Sequence, residues 1–129
     1  MKVISLREPF ASLIKEQKKL IETRSWKTKY RGELYIHASL GKVNKSDQRI
    51  NRLISYLTDQ EMKYGLIIAK CTLVDCVYMD EAFIAKINEN KIEKDCGLYE
   101  IGRYAWILKD IVVLDKPISA KGKLSIWTL

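Results

Sequence analysis

The segment KEQKKLIETRSWKTKYR, residues 15–31, decides how the chain is interpreted. It holds seven basic side chains against two acidic ones, and two aromatic residues, Trp26 and Tyr30, lie among the cations. Cations bind phosphate groups, and aromatic rings stack on bases. The combination is therefore typical of a surface that binds nucleic acid.

A carboxylate inside this basic segment indicates a shaped polar site. Glu22 lies two residues before Arg24, so on a strand the two side chains point to the same face. The alternative is a structural ion pair, which contributes only about 0–1 kcal/mol at a surface.

The composition is that of one globular domain spanning residues 1–129. Hydrophobic residues make up 47% and charged residues 30% of the chain, which is ordinary for such a domain. No apolar run reaches the roughly 18 residues that span a membrane, and the first ten residues do not form a signal-peptide core. We therefore expect no membrane contact and a cytoplasmic location. The three cysteines lack paired spacing, so neither a zinc site nor any other metal or cofactor is predicted.

The net charge of +7 is unevenly distributed. Residues 1–52 contain 13 Lys and Arg against 5 Asp and Glu, whereas residues 53–129 contain 10 against 11. This asymmetry predicts one basic face and an anionic partner. The alternative is that the lysines serve only solubility.

Hydrophobic periodicity predicts an α+β domain built on a small, highly curved sheet or barrel. The segment 65–79 is the longest strand signal and is expected to bend midway. A helix over 46–57 is predicted to begin at a Ser46 cap, and the polar segment 88–97 is predicted to be a mobile loop. The remaining predicted strands cover 2–6, 20–24, 33–38, 104–114 and 124–129, and the remaining helices cover 9–16 and 80–88.

The chain resembles an ASCH (activating signal cointegrator homology) domain of the PUA-like superfamily. The family motif G-x-K-x-x-E-x-R stands here as Gln17 to Arg24, with Gln17 in place of the glycine. The likeness continues through Ile36-His37-Ala38, Tyr104-Ala105-Trp106 and the terminal Trp127. It implies a PUA-like curved β-barrel of five or six strands with two or three flanking helices around a cleft, and an RNA-related function. It also implies that the motif residues Lys19, Glu22 and Arg24 line this cleft, where Lys19 and Arg24 would hold a phosphate or a base edge and Glu22 would orient them or accept a hydrogen bond from an exocyclic amine.

The leading prediction is an RNA-binding module, with single-stranded DNA as a second candidate ligand. Trp26 and Tyr30 would stack on bases at about 1–3 kcal/mol each, although Trp26 could instead cover the core. Trp106 and Trp127 are predicted to be core residues, and His37 a hydrogen-bonded structural residue. The predicted binding residues are Lys18, Lys19, Glu22, Arg24, Trp26, Lys27, Lys29, Tyr30 and Arg31.

The alternative prediction is a small hydrolase, of the amidohydrolase or ribonuclease type, that acts on RNA or a modified nucleoside. Lys19 and Glu22 would then be the catalytic residues. Small hydrolytic relatives resemble this motif but carry a threonine where Glu22 stands, so the candidate hydroxyl nucleophile is missing there. Thr23 is expected to face the other side of the strand. A third hypothesis is a basic face that meets an acidic protein partner, whose identity the sequence does not predict.

Overall fold

The computed structural model describes all 129 residues and shows an α+β domain with six strands and four helices. The strands are β1 (Lys2–Leu6), β2 (Ile21–Arg24), β3 (Gly32–Ala38), β4 (Leu66–Tyr78), β5 (Tyr104–Ser119) and β6 (Ile126–Thr128). The helices are α1 (Phe10–Lys15), α2 (Gln48–Ser55), α3 (Glu81–Ile87) and α4 (Lys91–Asp95).

The strands form one mixed sheet in the order β2-β5-β4-β3-β1-β6. Only β1 and β3 run parallel, and all other neighbours are antiparallel. The pairing of β4 with β5 shifts register at three places between Ile67 and Asp75. Bulges increase the twist and bend a strand, so β4 bends as expected. The sheet is not closed, yet its curvature fits a PUA-like barrel, which confirms the predicted fold class.

The main core lies between the curved sheet and α1. Leu34 and Ile36 alternate inward on β3, and Ala11 and Ile14 of α1 pack into the same cluster. Trp106 is fully buried and Trp127 nearly so, which confirms both as core residues. Alternation along β3 and helical spacing along α1 thus direct these apolar residues into the main core, as the sequence pattern predicts.

Two local predictions are wrong. Helix α2 is capped by Asp47 rather than Ser46, because the Asp47 carboxylate accepts the N–H groups of Arg49 and Ile50. The segment 88–97 is not a loop, since it contains α4. This short helix starts at Asn90, whose side chain accepts the Glu93 N–H, and it buries Glu93 against the domain.

The turn after α1 brings the motif residues under the helix. Gln17 adopts a left-handed conformation with φ of 61°, the conformation for which glycine is favoured. The N–H groups of Lys18 and Lys19 then both bond to Leu13 O, at 2.9 and 3.2 Å. The tight turn therefore forms with glutamine at the motif's glycine position, and it directs Lys19 inward.

Candidate nucleic-acid interface

Four arginine side chains surround one cavity of about 410 Å³, here called the arginine cleft. Each comes from a different part of the chain. Arg7 follows β1, Arg24 ends β2, Arg49 lies in the first turn of α2, and Arg103 precedes β5. The only acidic residue that lines the cleft is Glu22. The cleft is therefore strongly cationic, and its size suits a single small ligand.

Glu22 and Arg24 point to the same face of β2, as predicted. Glu22 Oε2 accepts from Arg24 Nε at 3.0 Å and lies 2.9 Å from Arg24 Nη2. Glu22 Oε1 accepts the Thr23 N–H at 3.2 Å and lies 3.4 Å from Lys19 Nζ. Both carboxylate oxygens are thus occupied, and Glu22 fixes the direction of the Arg24 guanidinium.

Arg24 is also held by aromatic rings. Its guanidinium carbon lies 5.4 Å from the Trp26 ring centroid and 5.7 Å from that of Trp106. The two tryptophan rings meet edge to face at 6.4 Å. Trp106 forms the buried side of this stack, whereas Trp26 is 45% exposed beside the cleft. Cation–π contacts of this kind orient a guanidinium without neutralising it.

Lys19 is buried beneath the cleft rather than presented in it. Its side chain is only 1% exposed, and Nζ donates to Ile21 O and to Cys96 O, both at 2.7 Å. With Glu22 as the third neighbour, the three hydrogens of the ammonium group are all directed to protein oxygens. Lys19 therefore joins the end of α4 to β2 and supports Glu22 from below.

The floor behind Lys19 is polar and buried. Glu93 Oε1 accepts the Leu20 N–H at 2.7 Å, while Glu93 Oε2 and the Tyr99 hydroxyl are buried without a hydrogen-bond partner. Burial raises the pKa of the Glu93 carboxyl, against the opposing effects of the Leu20 N–H and the nearby Lys19. Burial likewise raises the pKa of the Tyr99 hydroxyl, and that of the Cys96 thiol to about 11.

The other three cleft arginines form no ion pair. They are positioned by backbone carbonyls instead. Arg7 donates to Lys42 O at 3.3 Å, Arg49 to Asp95 O at 2.6 Å, and Arg103 to Leu98 O at 3.1 Å. Because carbonyl oxygens carry no net charge, the positive charges of these guanidinium groups remain available to an anion.

The remaining residues predicted from the sequence lie apart from the cleft. Tyr30 is partly buried, with its hydroxyl donating to Glu33 O, and Arg31 bonds to nearby carbonyls. Three lysines, at positions 18, 27 and 29, have no hydrogen-bond or ion-pair partner, and Lys27 and Lys29 are exposed. The structure thus brings together Lys19, Glu22 and Arg24, with Trp26 adjacent. Of the predicted binding residues, only Glu22 and Arg24 line the cleft itself, and five lie apart from it: Lys18, Lys27, Lys29, Tyr30 and Arg31.

Three cleft residues were not predicted, namely Arg7, Arg49 and Arg103. Two of them belong to the basic first 52 residues, so the charge asymmetry was the only sequence signal for them. Thr23 was expected to face the other side of the strand from Glu22, yet it also lines the cleft, where its hydroxyl accepts the Leu98 N–H at 3.1 Å. His37 is a structural residue as predicted, because it is fully buried and bonded through both ring nitrogens.

Comparison with known proteins agrees with the fold and the motif. The family model of the ASCH domain matches residues 4–118, which is most of the chain. The chain belongs to the ASCH domain family. Membership of this family is consistent with a nucleic-acid-binding or small RNA-related module. A search among curated proteins gives no match.

Two further structural findings concern membrane spans and metal ions. None of the helices has the length and apolar character needed to cross a membrane. No three His, Cys, Asp or Glu side chains come together in a group that could hold a metal ion.

Proposed function

We propose that this ASCH domain binds single-stranded nucleic acid, with RNA as the first candidate, and that the arginine cleft holds the phosphate backbone. One observation carries the proposal: four guanidinium groups from separate segments surround one cavity, and three of them have no ion-pair partner. Guanidinium groups bind phosphate oxygens in pairs through two parallel N–H bonds. A phosphate group, whose oxygens can accept such paired bonds, is therefore the anion that suits this arrangement.

Glu22 and Lys19 have a positioning role in this proposal. Glu22 holds Arg24 at a fixed angle, and Lys19 holds Glu22, so that one guanidinium edge stays directed at the cleft. Trp26 supplies an exposed ring next to that guanidinium, where a base could stack. The arrangement combines a phosphate contact with a base contact, as single-strand binders do.

The hydrolase hypothesis receives less support from these contacts. A lysine that acts as a base must present a free electron pair to the substrate, whereas Lys19 Nζ is surrounded by two carbonyl oxygens and a carboxylate. The Thr23 hydroxyl, one candidate nucleophile at the cleft, accepts the Leu98 N–H. We therefore propose a binding module rather than an enzyme.

The test is a titration of labelled single-stranded RNA followed by fluorescence anisotropy, with single-stranded DNA of the same sequence in parallel. Affinity should fall steeply between about 50 and about 200 mM salt, because bound phosphates release counterions. Arg49→Gln should weaken binding more than Lys29→Gln. Each variant removes one positive charge, but only Arg49 lines the cleft.

Two results would overturn the proposal. The first is an absence of binding to either nucleic acid at low salt, or an affinity that does not change with salt. The second is an equal effect of Arg49→Gln and Lys29→Gln, which would place binding on the general basic surface instead of in the cleft. Melting temperatures of both variants should be measured beside the titrations, since Arg49 also contacts the Phe10 ring.

A further inference from the structure

A second cavity opens directly beside the arginine cleft. Each of the two has a volume of about 410 Å³, and Ser5, Arg7 and Arg24 line both of them. Each alone suits one small ligand. Because they share a wall that carries two guanidinium groups, they form one groove with cations at its midpoint.

The second cavity has the groups that a nucleotide requires. It is lined by three cations and no acid, Lys123 being the cation that the first cavity lacks. Its other polar groups are the hydroxyls of three serines. Leu40 and Leu124 also line it, and they are 60% and 94% exposed. The two exposed leucines offer an apolar surface that a base can cover. The neighbouring cations can bind the phosphate of the same nucleotide.

The turn that carries Lys123 and Leu124 is firmly anchored. Gly122 packs so closely that a Cβ there would lie 2.7 Å from Ser5 Oγ and 3.1 Å from His37 Cε1. His37 Nε2 donates to Ala120 O at 2.8 Å. On the other side, β6 pairs with β1. A leucine displayed on an anchored turn loses little freedom when a ligand covers it.

A buried hydrogen-bond chain completes this anchor. Trp127 Nε1 donates to Ser5 Oγ at 3.0 Å, and Ser5 Oγ lies 2.9 Å from His37 Nδ1. Since the Ala120 carbonyl can only accept, His37 Nε2 carries a proton and donates it, while His37 Nδ1 shares a hydrogen bond with the Ser5 hydroxyl. The only histidine of the chain thus serves the turn and not the ligand.

We infer that the arginine cleft and the second cavity bind consecutive nucleotides of one strand. Arg7 and Arg24 hold the phosphate between the two nucleotides, and Leu40 and Leu124 contact the second base. The inference rests on the proposed function and narrows its ligand class to oligonucleotides, as distinct from free nucleotides. The first nucleotide position lies beside Glu22 and the two cations that contact it, Lys19 and Arg24. The second position lies beside the 120–125 turn.

The experiment compares two probes by isothermal titration calorimetry at low salt. One is a set of the four nucleoside monophosphates. The other is a mixed-sequence single-stranded RNA of about eight nucleotides, a length within the site size of single-strand-binding OB folds. The variants are Lys123→Gln and Leu124→Ser. Their controls are Lys121→Gln and Val113→Ser, which alter an exposed cation and an exposed apolar residue outside both cavities.

Both variants are expected to weaken binding of the RNA. Leu124→Ser should weaken it by about fivefold, because part of the apolar surface that Leu124 buries against a base is lost. Lys123→Gln should reduce the salt slope of the RNA affinity by about 0.7, the value for one phosphate contact on a single strand. Both controls should bind the RNA like the wild type.

The outcomes separate this inference from the proposed function. If Arg49→Gln weakens RNA binding but Lys123→Gln and Leu124→Ser do not, the ligand occupies only the arginine cleft and the inference is overturned. If monophosphates bind as tightly as the RNA, the two-nucleotide groove is likewise refuted. If the wild type binds neither probe, the proposed function itself fails.

Discussion

Replacement of Lys19 by methionine tests whether Lys19 positions Glu22 or contacts the nucleic acid directly. The change removes the donor from Ile21 O, Cys96 O and Glu22 Oε1 while keeping the apolar stem. A buried polar group left without its partner costs about 1–3 kcal/mol, and breaking a buried charge pair costs about 3–5 kcal/mol. Because Glu22 is 12% exposed and retains Arg24, we expect the free energy of unfolding to fall by about 3–4 kcal/mol.

The assay is urea denaturation followed by tryptophan fluorescence, with Lys18→Met as the control. Lys18 precedes Lys19 and has no side-chain partner, so its replacement should change stability by about 0.5 kcal/mol or less. RNA titrations of the folded variants supply a second measurement. Lys19→Met should leave the salt slope unchanged, because Lys19 touches no phosphate, even where affinity falls.

Two outcomes would refute this reasoning. A loss of stability below about 1 kcal/mol with an unchanged m-value would show that the three acceptors find other partners or water. A salt slope reduced by about 0.7 would show that the ammonium group contacts a phosphate after all.

Three further predictions concern the cleft and its floor. Arg24→Ala should weaken nucleic-acid binding at least as much as Lys27→Ala or Lys29→Ala in the same titration, because a guanidinium can hold a phosphate bidentately. Glu22→Gln should lower RNA affinity by about tenfold without unfolding the domain, since Arg24 loses its charged partner; tighter binding would exclude Glu22 from the site. Glu93→Gln should raise the melting temperature at about pH 7 and have no effect near pH 4, and a variant less stable than wild type at pH 7 would contradict it. The raised pKa of Glu93 means that its contribution to stability is full below the unfolded-state pKa and is lost as pH rises through the folded-state pKa.

The strands and α1 could be predicted because their periodicity is local. Alternation on β3 buries Leu34 and Ile36, and the same rule places Glu22 beside Arg24. Helix α4 could not be predicted in this way, since it has five residues and buries a glutamate at its centre. The burial of Glu93 depends on its contact with the Leu20 N–H, which lies 73 positions away and is not predicted by a local sequence pattern.

Part of the candidate site could be predicted because local sequence patterns group neighbouring residues. Lys19, Glu22 and Arg24 are neighbours in sequence, so a motif could group them. Whether Lys19 faces the ligand or the interior depends on the Cys96 carbonyl, 77 positions further along the chain. The proximity of Arg49 and Arg103 to Arg24 likewise results from the tertiary fold. The only sequence indication was the charge asymmetry, which includes Arg49 but not Arg103.

The separate origins of the four cleft arginines link ligand binding to the folding equilibrium. Since Arg7, Arg24, Arg49 and Arg103 meet only when β1, β2, α2 and β5 are all in place, the unfolded chain has no comparable cluster. A ligand held in the cleft therefore acts as a non-covalent crosslink across distant parts of the chain. At a concentration of about 100 Kd it would add about 2.7 kcal/mol to the free energy of unfolding. An isolated peptide covering residues 15–31 would keep the basic charge but would lose this property.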